Sequence, residues 1–209
     1  MSTKRKIPNS EGVYFITFTC HKWLPLFEIV NGYDIAYKWF DHLKSKGHYI
    51  VGYVIMPACP VGRPNHIHAL IGFSNSDSSI NSIIGNGKRF MAYEIIRRLN
   101  EKKEVDLLDK LAQAVKKRDE KRGKLHEVFE QSFDWKECSS DKFIDQKLDY
   151  MHDNPCRGVW RLAASPVDYL HSSAKYYLTG DQGIYPVTNR GELKDIDLTI
   201  KAIVRKSVE

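Results

Sequence analysis

The chain has 209 residues, of which 42% are hydrophobic and 28% are charged, a composition that excludes a disordered or fibrous protein and allows one substantial core. No apolar run approaches the ~20 residues that span a bilayer, and no apolar segment follows the basic N-terminus, so we expect a cytoplasmic protein with no membrane partner. The formal net charge of +6 weakly favours a polyanionic partner.

The first part of the chain predicts strands and a helix in alternation. Residues 12–21 (GVYFITFTCH) alternate and are rich in β-branched and aromatic residues, which favours a strand. Residues 33–47 carry apolar side chains at helical spacing and end on Gly47, which indicates an amphipathic helix with a glycine cap. A second strand is predicted at residues 48–56, and a third at residues 66–73 after a loop rich in proline and glycine.

The middle of the chain predicts a long helix that begins near Ser78 or Ser79. Gly85 and Gly87 are expected to break or weaken its first part. Residues 101–124 are dense in charge with a thin apolar stripe, which fits either a helical extension or a mobile insertion.

The last elements complete a mixed fold. A short strand is predicted at residues 124–133, and a helix at residues 139–155, where Pro155 ends it. This order of elements predicts an α+β protein with a sheet of about four or five antiparallel strands and helices on one face. We expect the strand of residues 66–73 to be central in that sheet.

Two histidines, His66 and His68, stand on either side of Ile67 in the third predicted strand. Side chains alternate between the faces of a strand, so both imidazoles should point to the same side. A pair of imidazoles on one face supplies half of a metal site, although the pair alone fits a structural role equally well.

Tyr150 and Asn154 are four residues apart in the last predicted helix, so they should lie on one helical face, with Gln146 one turn earlier. Taken alone, a core tyrosine with its hydroxyl at the rim is the more common explanation for Tyr150. A helix-end residue before Pro155 likewise explains Asn154.

Two segments taken together, YVIMPACPVGRPNHIHALIGF and KLDYMHDNPCRGVW, resemble the REP-associated tyrosine transposases, in the insertion-sequence-200-like branch of the HUH single-stranded DNA transposases. That family has a His-hydrophobic-His strand after a Met-Pro turn. It also has a later helix whose tyrosine is followed by a polar residue four positions on and by an Asn-Pro pair. The resemblance runs from residue 14 to residue 177, although the loop from Met56 to His66 is longer than the family's usual Met-Pro-Asn-His.

The resemblance implies a ferredoxin-like antiparallel sheet with helices packed mainly on one face, plus a separate catalytic helix that carries the tyrosine. It implies that His66, His68 and Asn154 bind a divalent metal ion, Mg²⁺ or Mn²⁺, ligands that suit such an ion. Tyr150 is then the nucleophile, and its attack on DNA next to a hairpin leaves a 5′-phosphotyrosine and a free 3′-hydroxyl.

Basic residues in the long middle helix are candidates for contact with single-stranded or hairpin DNA: Lys88, Arg89, Arg97 and Arg98. Phe90 and Tyr93 could stack on bases. A solvated helix face and core aromatic residues are the ordinary alternative for these positions.

We expect residues 1–180 to form a single catalytic domain, in which residues 101–124 are a charged helical insertion, and residues 181–209 to form a C-terminal extension. The active unit is expected to be a monomer or a homodimer.

Two other functions compete with a transposase and endonuclease. A domesticated protein could bind DNA hairpins with little or no cleavage while keeping the same site residues. A structural zinc protein could use Cys59, His66 and His68, although no fourth ligand is evident in the sequence and the four cysteines form no CxxC pair.

Overall fold

The computed structural model of the chain describes residues 6–57, 65–158 and 160–201. Within them, one antiparallel sheet has the strand order β2-β3-β1-β4. Its strands are β1 (Gly12–Thr19), β2 (Tyr49–Met56), β3 (His66–Phe73) and β4 (Asp134–Glu137). The strand β3 pairs with β1 on one side and with β2 on the other, which confirms its predicted central place.

The helices are α1 (Leu26–Ile29), α2 (Tyr33–Ser45), α3 (Ile80–Glu101), α4 (Val105–Gln113), α5 (Lys117–Glu120), α6 (Asp141–Asp153), α7 (Ala174–Thr179) and α8 (Arg190–Lys194). Short 3-10 turns lie at His21–Trp23, Asn154–Cys156 and Pro166–Asp168. The succession β1-α2-β2-β3-α3-β4 with this strand order is the split βαβ arrangement of ferredoxin-like folds. The predicted α+β class is confirmed.

The two faces of the sheet bury different helices. On one face, Ile67 and the other inward residues of β3 pack with α2 and α3 in the larger core. On the other face, Phe15 and Leu70 pack with Leu148 and the apolar stripe of α6. The sheet therefore lies between the pair α2 and α3 and the helix α6, so the separate helix that was expected packs on the opposite face.

The predicted break in the middle helix is wrong, because α3 runs without interruption through Gly85 and Gly87. A Cβ atom at Gly87 would lie 2.1 Å from Nε1 of Trp39. The glycine is therefore needed for the indole of α2 to pack against α3, and the gain in packing outweighs the weak helix propensity of glycine. Ser79 caps α3 by accepting a hydrogen bond from the backbone N–H of Ser82, as predicted.

The helix α6 approaches the sheet at Gly52, beside a bulge in β2. A Cβ atom there would lie 2.6 Å from Cδ2 of Leu148 and 3.1 Å from Cε of Met151. Ser140 begins the helix by accepting a hydrogen bond from the backbone N–H of Phe143. Ser140 thus sets where α6 begins, and Gly52 allows the helix to pack closely on the sheet.

The strand predicted at residues 124–133 is wrong. This segment makes only an isolated bridge, Cys20 with Phe129, and the ladder partner of β1 is the later strand β4. The reason is a contact distant in sequence, since the carbonyls of Glu130 and Ser132 accept hydrogen bonds from the ammonium of Lys88 on α3. The segment is held as an irregular loop against α3.

The charged segment of residues 101–124 and the C-terminal segment of residues 181–201 both pack on the core. In residues 101–124, Leu107 and Leu111 of α4 join the larger core, so this part is a packed helical segment. In residues 181–201, Tyr185 and Val187 join the same core. No helix in the described part of the chain is both long and apolar enough for a membrane span.

The outer edge of β2 is covered by later segments of the chain. The backbone N–H of Ile55 donates to the carbonyl of His171, and that of Ser173 donates to the carbonyl of Tyr53. Such cover removes an exposed sheet edge that could pair with another chain.

Candidate active site

The two histidines of β3 point to the same side of the sheet, with their ring centroids 4.5 Å apart. His66 is 7% exposed and His68 is 5% exposed. Ile67 between them belongs to the core on the opposite face. Strand alternation therefore places both imidazoles on the face that α6 covers.

His68 presents one ring nitrogen to a partner and leaves the other without one. Its Nδ1 lies 2.7 Å from Oγ1 of Thr17 on β1, and its Nε2 is buried and has no hydrogen-bond partner within the described residues. Burial, with the neighbouring His66 and Lys147, lowers the pKa of His68 well below its usual 6.5. A neutral ring that donates from Nδ1 has the lone pair of Nε2 available for a metal ion.

Aromatic side chains form the walls of this site. Phe15 stacks on His68, with ring centroids 5.2 Å apart, and Trp160 stands edge-on to His66 at 5.7 Å. Thr17, Phe15 and Trp160 were not predicted as site residues. The sequence does not fix which residue of β1 lies opposite His68, and Trp160 reaches the site from a loop beyond the last long helix.

Tyr150 comes from α6 to the same place. Its ring centroid lies 5.5 Å from that of His68 and 6.1 Å from that of Phe15. The side chain is 48% exposed, so about half of it is open to solvent, while the rest of the ring contacts Phe15 and His68. The structure thus brings Tyr150 and the histidine pair together from distant parts of the sequence.

The amine of Lys147 lies over the same group of rings. Its Nζ is 5.7 Å from the centroid of Tyr150, 5.3 Å from that of Phe15 and 4.9 Å from that of Phe143. These are cation–π distances. Sequence reasoning missed Lys147, although its position three residues before Tyr150 on a helix was a signal.

Asn154 follows Tyr150 by one turn, with helical backbone angles (φ −49°, ψ −47°), as α6 tightens into a 3-10 turn. Its Nδ2 atom is buried and has no hydrogen-bond partner in the described part of the chain. The amide can therefore turn its oxygen toward an ion without losing a bond from that nitrogen. On His68, the unpartnered Nε2 of a ring whose Nδ1 lies beside a hydroxyl is a type of donor that suits a divalent metal ion.

Two residues hold the end of α6 in place. His152 is buried, and its Nε2 lies 2.8 Å from Oγ of Ser173, in the segment that covers the edge of β2. Burial lowers the pKa of His152 to about 4, so the ring is neutral at neutral pH.

The zinc hypothesis involves Cys59, which lies outside the described residues. Across residues 6–57, 65–158 and 160–201, no three or more His, Cys, Asp or Glu side chains are grouped so that they could hold a metal ion. A zinc site with Cys59 stays an untested alternative.

The basic residues predicted to contact DNA lie on α3, across the sheet from His68 and Tyr150. The ammonium of Lys88 donates to the carbonyl oxygens of Glu130 at 2.6 Å and Ser132 at 3.2 Å. Burial lowers the pKa of Lys88 to about 8. This lysine therefore holds the 124–133 loop.

The three arginines of this group have partners on the protein surface. Arg97 and Arg98 both pair with Glu94, at 2.6 Å and 2.9 Å, and Arg98 also pairs with Asp34. Arg89 donates to Oδ1 of Asn86 at 3.1 Å and is exposed, as are the nearby rings Phe90 and Tyr93. The structure does not bring these residues next to the histidines and the tyrosine.

No protein-family model matches the chain, and no curated protein matches it either. Among solved structures, the chain is similar to a REP-associated tyrosine transposase bound to a REP hairpin, with a TM-score of 0.57 and 16% sequence identity. The similarity covers 97% of this chain and 99% of that chain. Over almost its whole length, this chain therefore has the fold of that transposase.

Proposed function

We propose that this protein is a metal-dependent, cytoplasmic transposase and endonuclease that cleaves and rejoins single-stranded DNA next to hairpins, with Tyr150 as its nucleophile. The observation that carries the proposal is the placement of the half-exposed Tyr150 ring 5.5 Å from His68, whose buried Nε2 has no partner within the described residues. A tyrosine beside a buried imidazole nitrogen that can bind a metal ion is the arrangement that metal-assisted strand transfer needs.

His66, His68 and Asn154 are the residues that would hold the ion. Mg²⁺ or Mn²⁺ bound there would polarise the scissile phosphate and stabilise the charge on its oxygens. Thr17 orients the imidazole of His68 through the 2.7 Å contact at Nδ1. The aromatic walls supplied by Phe15 and Trp160 limit the access of water to both rings.

The reaction is a transesterification. The Oη atom of Tyr150 attacks the phosphorus, and a phosphorus–Oη bond forms as the bond from phosphorus to the 3′ oxygen breaks. The 3′ oxygen keeps that electron pair and takes up a proton, while the phenolic proton is lost, which leaves a 5′-phosphotyrosine and a free 3′-hydroxyl. One phosphodiester replaces another, so attack by a later 3′-hydroxyl can join strands without ATP.

A DNA hairpin is the proposed partner. Support comes from the structural neighbour, which is bound to a REP hairpin, and from the net charge of +6. On the α3 face, Arg89, Arg97 and Arg98 are proposed to contact the phosphate backbone. Lys88 can join them only if its ammonium leaves the two carbonyls that it binds.

The test is incubation of the pure protein with hairpin-bearing single-stranded oligonucleotides in Mg²⁺ or Mn²⁺. We expect a covalent protein–DNA adduct on a denaturing gel, mapped to Tyr150 by peptide sequencing and lost in excess chelator. Hairpin binding without cleavage in either metal would favour the alternative, a domesticated hairpin-binding protein. Cleavage without an adduct would identify a hydrolytic nuclease in which water is the nucleophile.

A further inference from the structure

Lys147 is a cation whose charge has no carboxylate partner among the described residues, although other cations around α6 have one. Arg190 pairs with Asp145 of this helix at 2.7 Å, and Lys194 pairs with Asp141 at 2.5 Å. The ammonium of Lys147 instead lies over aromatic rings that face the candidate site. A charge kept away from carboxylates and close to the proposed nucleophile is free to bind an anion.

The position of Lys147 on α6 places it beside the reacting group. Phe143, Lys147, Tyr150 and Asn154 follow one another at helical spacing and so share one stripe of the helix. On this stripe, Tyr150 therefore lies between Lys147, which carries the ammonium, and Asn154, which is a proposed metal ligand.

A phosphate that Tyr150 attacks must come within about 3–3.5 Å of the tyrosine Oη. The Nζ atom of Lys147 lies 5.7 Å from the centroid of that same ring, at the end of a flexible side chain. The flexible four-methylene side chain gives the ammonium the reach to approach a phosphate oxygen near this ring. Charge-assisted bonds to phosphate are strong, so the anion would draw the lysine away from the weaker attraction of the rings.

We propose that Lys147 is a catalytic residue whose ammonium binds a non-bridging oxygen of the scissile phosphate, a role that rests on the proposed function. The ion and Lys147 then neutralise different oxygens of the same phosphate. A group aimed at the charge that develops in the transition state speeds the chemical step more than it strengthens binding.

The first test separates chemistry from packing. Lys147→Met keeps a long apolar side chain against Phe15 but removes the charge. We expect the rate of adduct formation at saturating DNA to fall by about 10²-fold to 10³-fold, and hairpin affinity to fall by no more than roughly tenfold, the cost of one lost charge-assisted bond. Lys147→Arg should restore part of the rate, and Lys142→Met, an exposed change in the first turn of the same helix, should leave it unchanged.

The second test measures the contact itself, in the background of Tyr150→Phe so that no strand is cut. The scissile phosphate, located from the wild-type adduct, is replaced by an uncharged methylphosphonate. With Lys147 present, neutralising this one phosphate should weaken binding by roughly tenfold, as expected for one lost charge-assisted bond. With Lys147→Met the same replacement should cost much less, since the bond is already absent.

The outcomes distinguish this inference from the proposed function. If the wild-type protein forms no adduct, both are overturned. If the wild type forms an adduct, two results would overturn the role of Lys147 alone. One is an equal rate of adduct formation for wild type and Lys147→Met. The other is an equal loss of DNA affinity from the methylphosphonate with and without the lysine. A fall in thermal stability for Lys147→Met with an unchanged rate would show that Lys147 serves only to pack α6 on the sheet.

Discussion

The ring of Tyr150 stands edge-on to the imidazole of His68, with 5.5 Å between centroids and 64° between planes. One residue belongs to the central strand and the other to the helix that covers it, so the pair exists only in the folded chain. Both rings also contact Phe15, at 6.1 Å and 5.2 Å. This shared contact sets the spacing between the proposed nucleophile and the proposed metal ligand.

Tyr150→Phe should abolish the covalent adduct and leave hairpin binding intact. The substitution removes only a hydroxyl from a half-exposed ring, so the contacts with His68 and Phe15 remain. The free energy of unfolding should change by roughly 1 kcal/mol or less. Denaturing gels and urea unfolding measure the two effects. An adduct that persists in this variant and maps to Tyr93, Tyr169 or Tyr176 would show that Tyr150 is not the nucleophile.

Substitution of each of the three proposed metal ligands should reduce cleavage by a different amount. His66→Ala or His68→Ala should remove detectable cleavage, because an alanine offers no donor to the ion. Asn154→Ala should reduce the rate less, since water can take the place of an amide oxygen. Hairpin binding should change little in any of them, as measured by gel shift. Full cleavage by either histidine variant, or by wild type in excess chelator, would exclude the metal site.

Thr17→Val should weaken metal binding without removing a ligand. The valine has the shape of threonine but cannot form a hydrogen bond with Nδ1 of His68, so the ring loses the contact that holds its orientation. Loss of such a supporting bond typically costs about 10-fold to 100-fold in metal affinity. Titration with Mn²⁺ by calorimetry measures it, and Thr17→Ser should restore most of the affinity. Equal affinity in the valine variant would mean that Thr17 does not position His68.

The sequence was sufficient to predict the elements that rest on local patterns. Period-two alternation predicted that His66 and His68 share a face, and helical spacing predicted the relation of Tyr150 to Asn154. The α+β class and the central place of β3 followed from the order of the elements. The shared faces depend only on residues that are near one another in the chain, and the class requires only the order of elements that were each predicted locally.

The features that sequence reasoning missed depend on long-range packing. The contact of Thr17 with His68 requires the register between β1 and β3, which the hydrophobic pattern does not specify to a single residue. The loop at residues 124–133 departs from its strand-like sequence because Lys88 binds its carbonyls. The continuity of α3 through Gly87 likewise depends on Trp39, which lies far away in the sequence.

Stability should fall as the pH drops from 6.5 toward 4. Burial lowers the pKa of both His48 and His171 to about 4 in the folded protein. Above pH 6.5 these rings are neutral in both states; below it the unfolded chain takes up protons that the folded protein does not, so acidification favours unfolding. Urea unfolding across this pH range measures how the free energy of unfolding changes with pH. His48→Gln should reduce the proton uptake on unfolding by up to one, and an unchanged slope would contradict the assignment.

Gly52→Ala should separate Tyr150 from His68. The added Cβ would lie 2.6 Å from Cδ2 of Leu148, so α6 must shift outward or the side chains must repack, at a cost of about 1–3 kcal/mol. Because Tyr150 is on the same helix, the shift should lower the rate of adduct formation more than it weakens hairpin binding. Gly85→Ala is the matched control: its Cβ would meet nothing within 4 Å, and the exposed helical site should gain up to about 1 kcal/mol of stability. Unfolding measurements and single-turnover adduct formation are compared for the two variants. If Gly52→Ala matches the wild type in both stability and rate, the close approach of α6 does not position Tyr150.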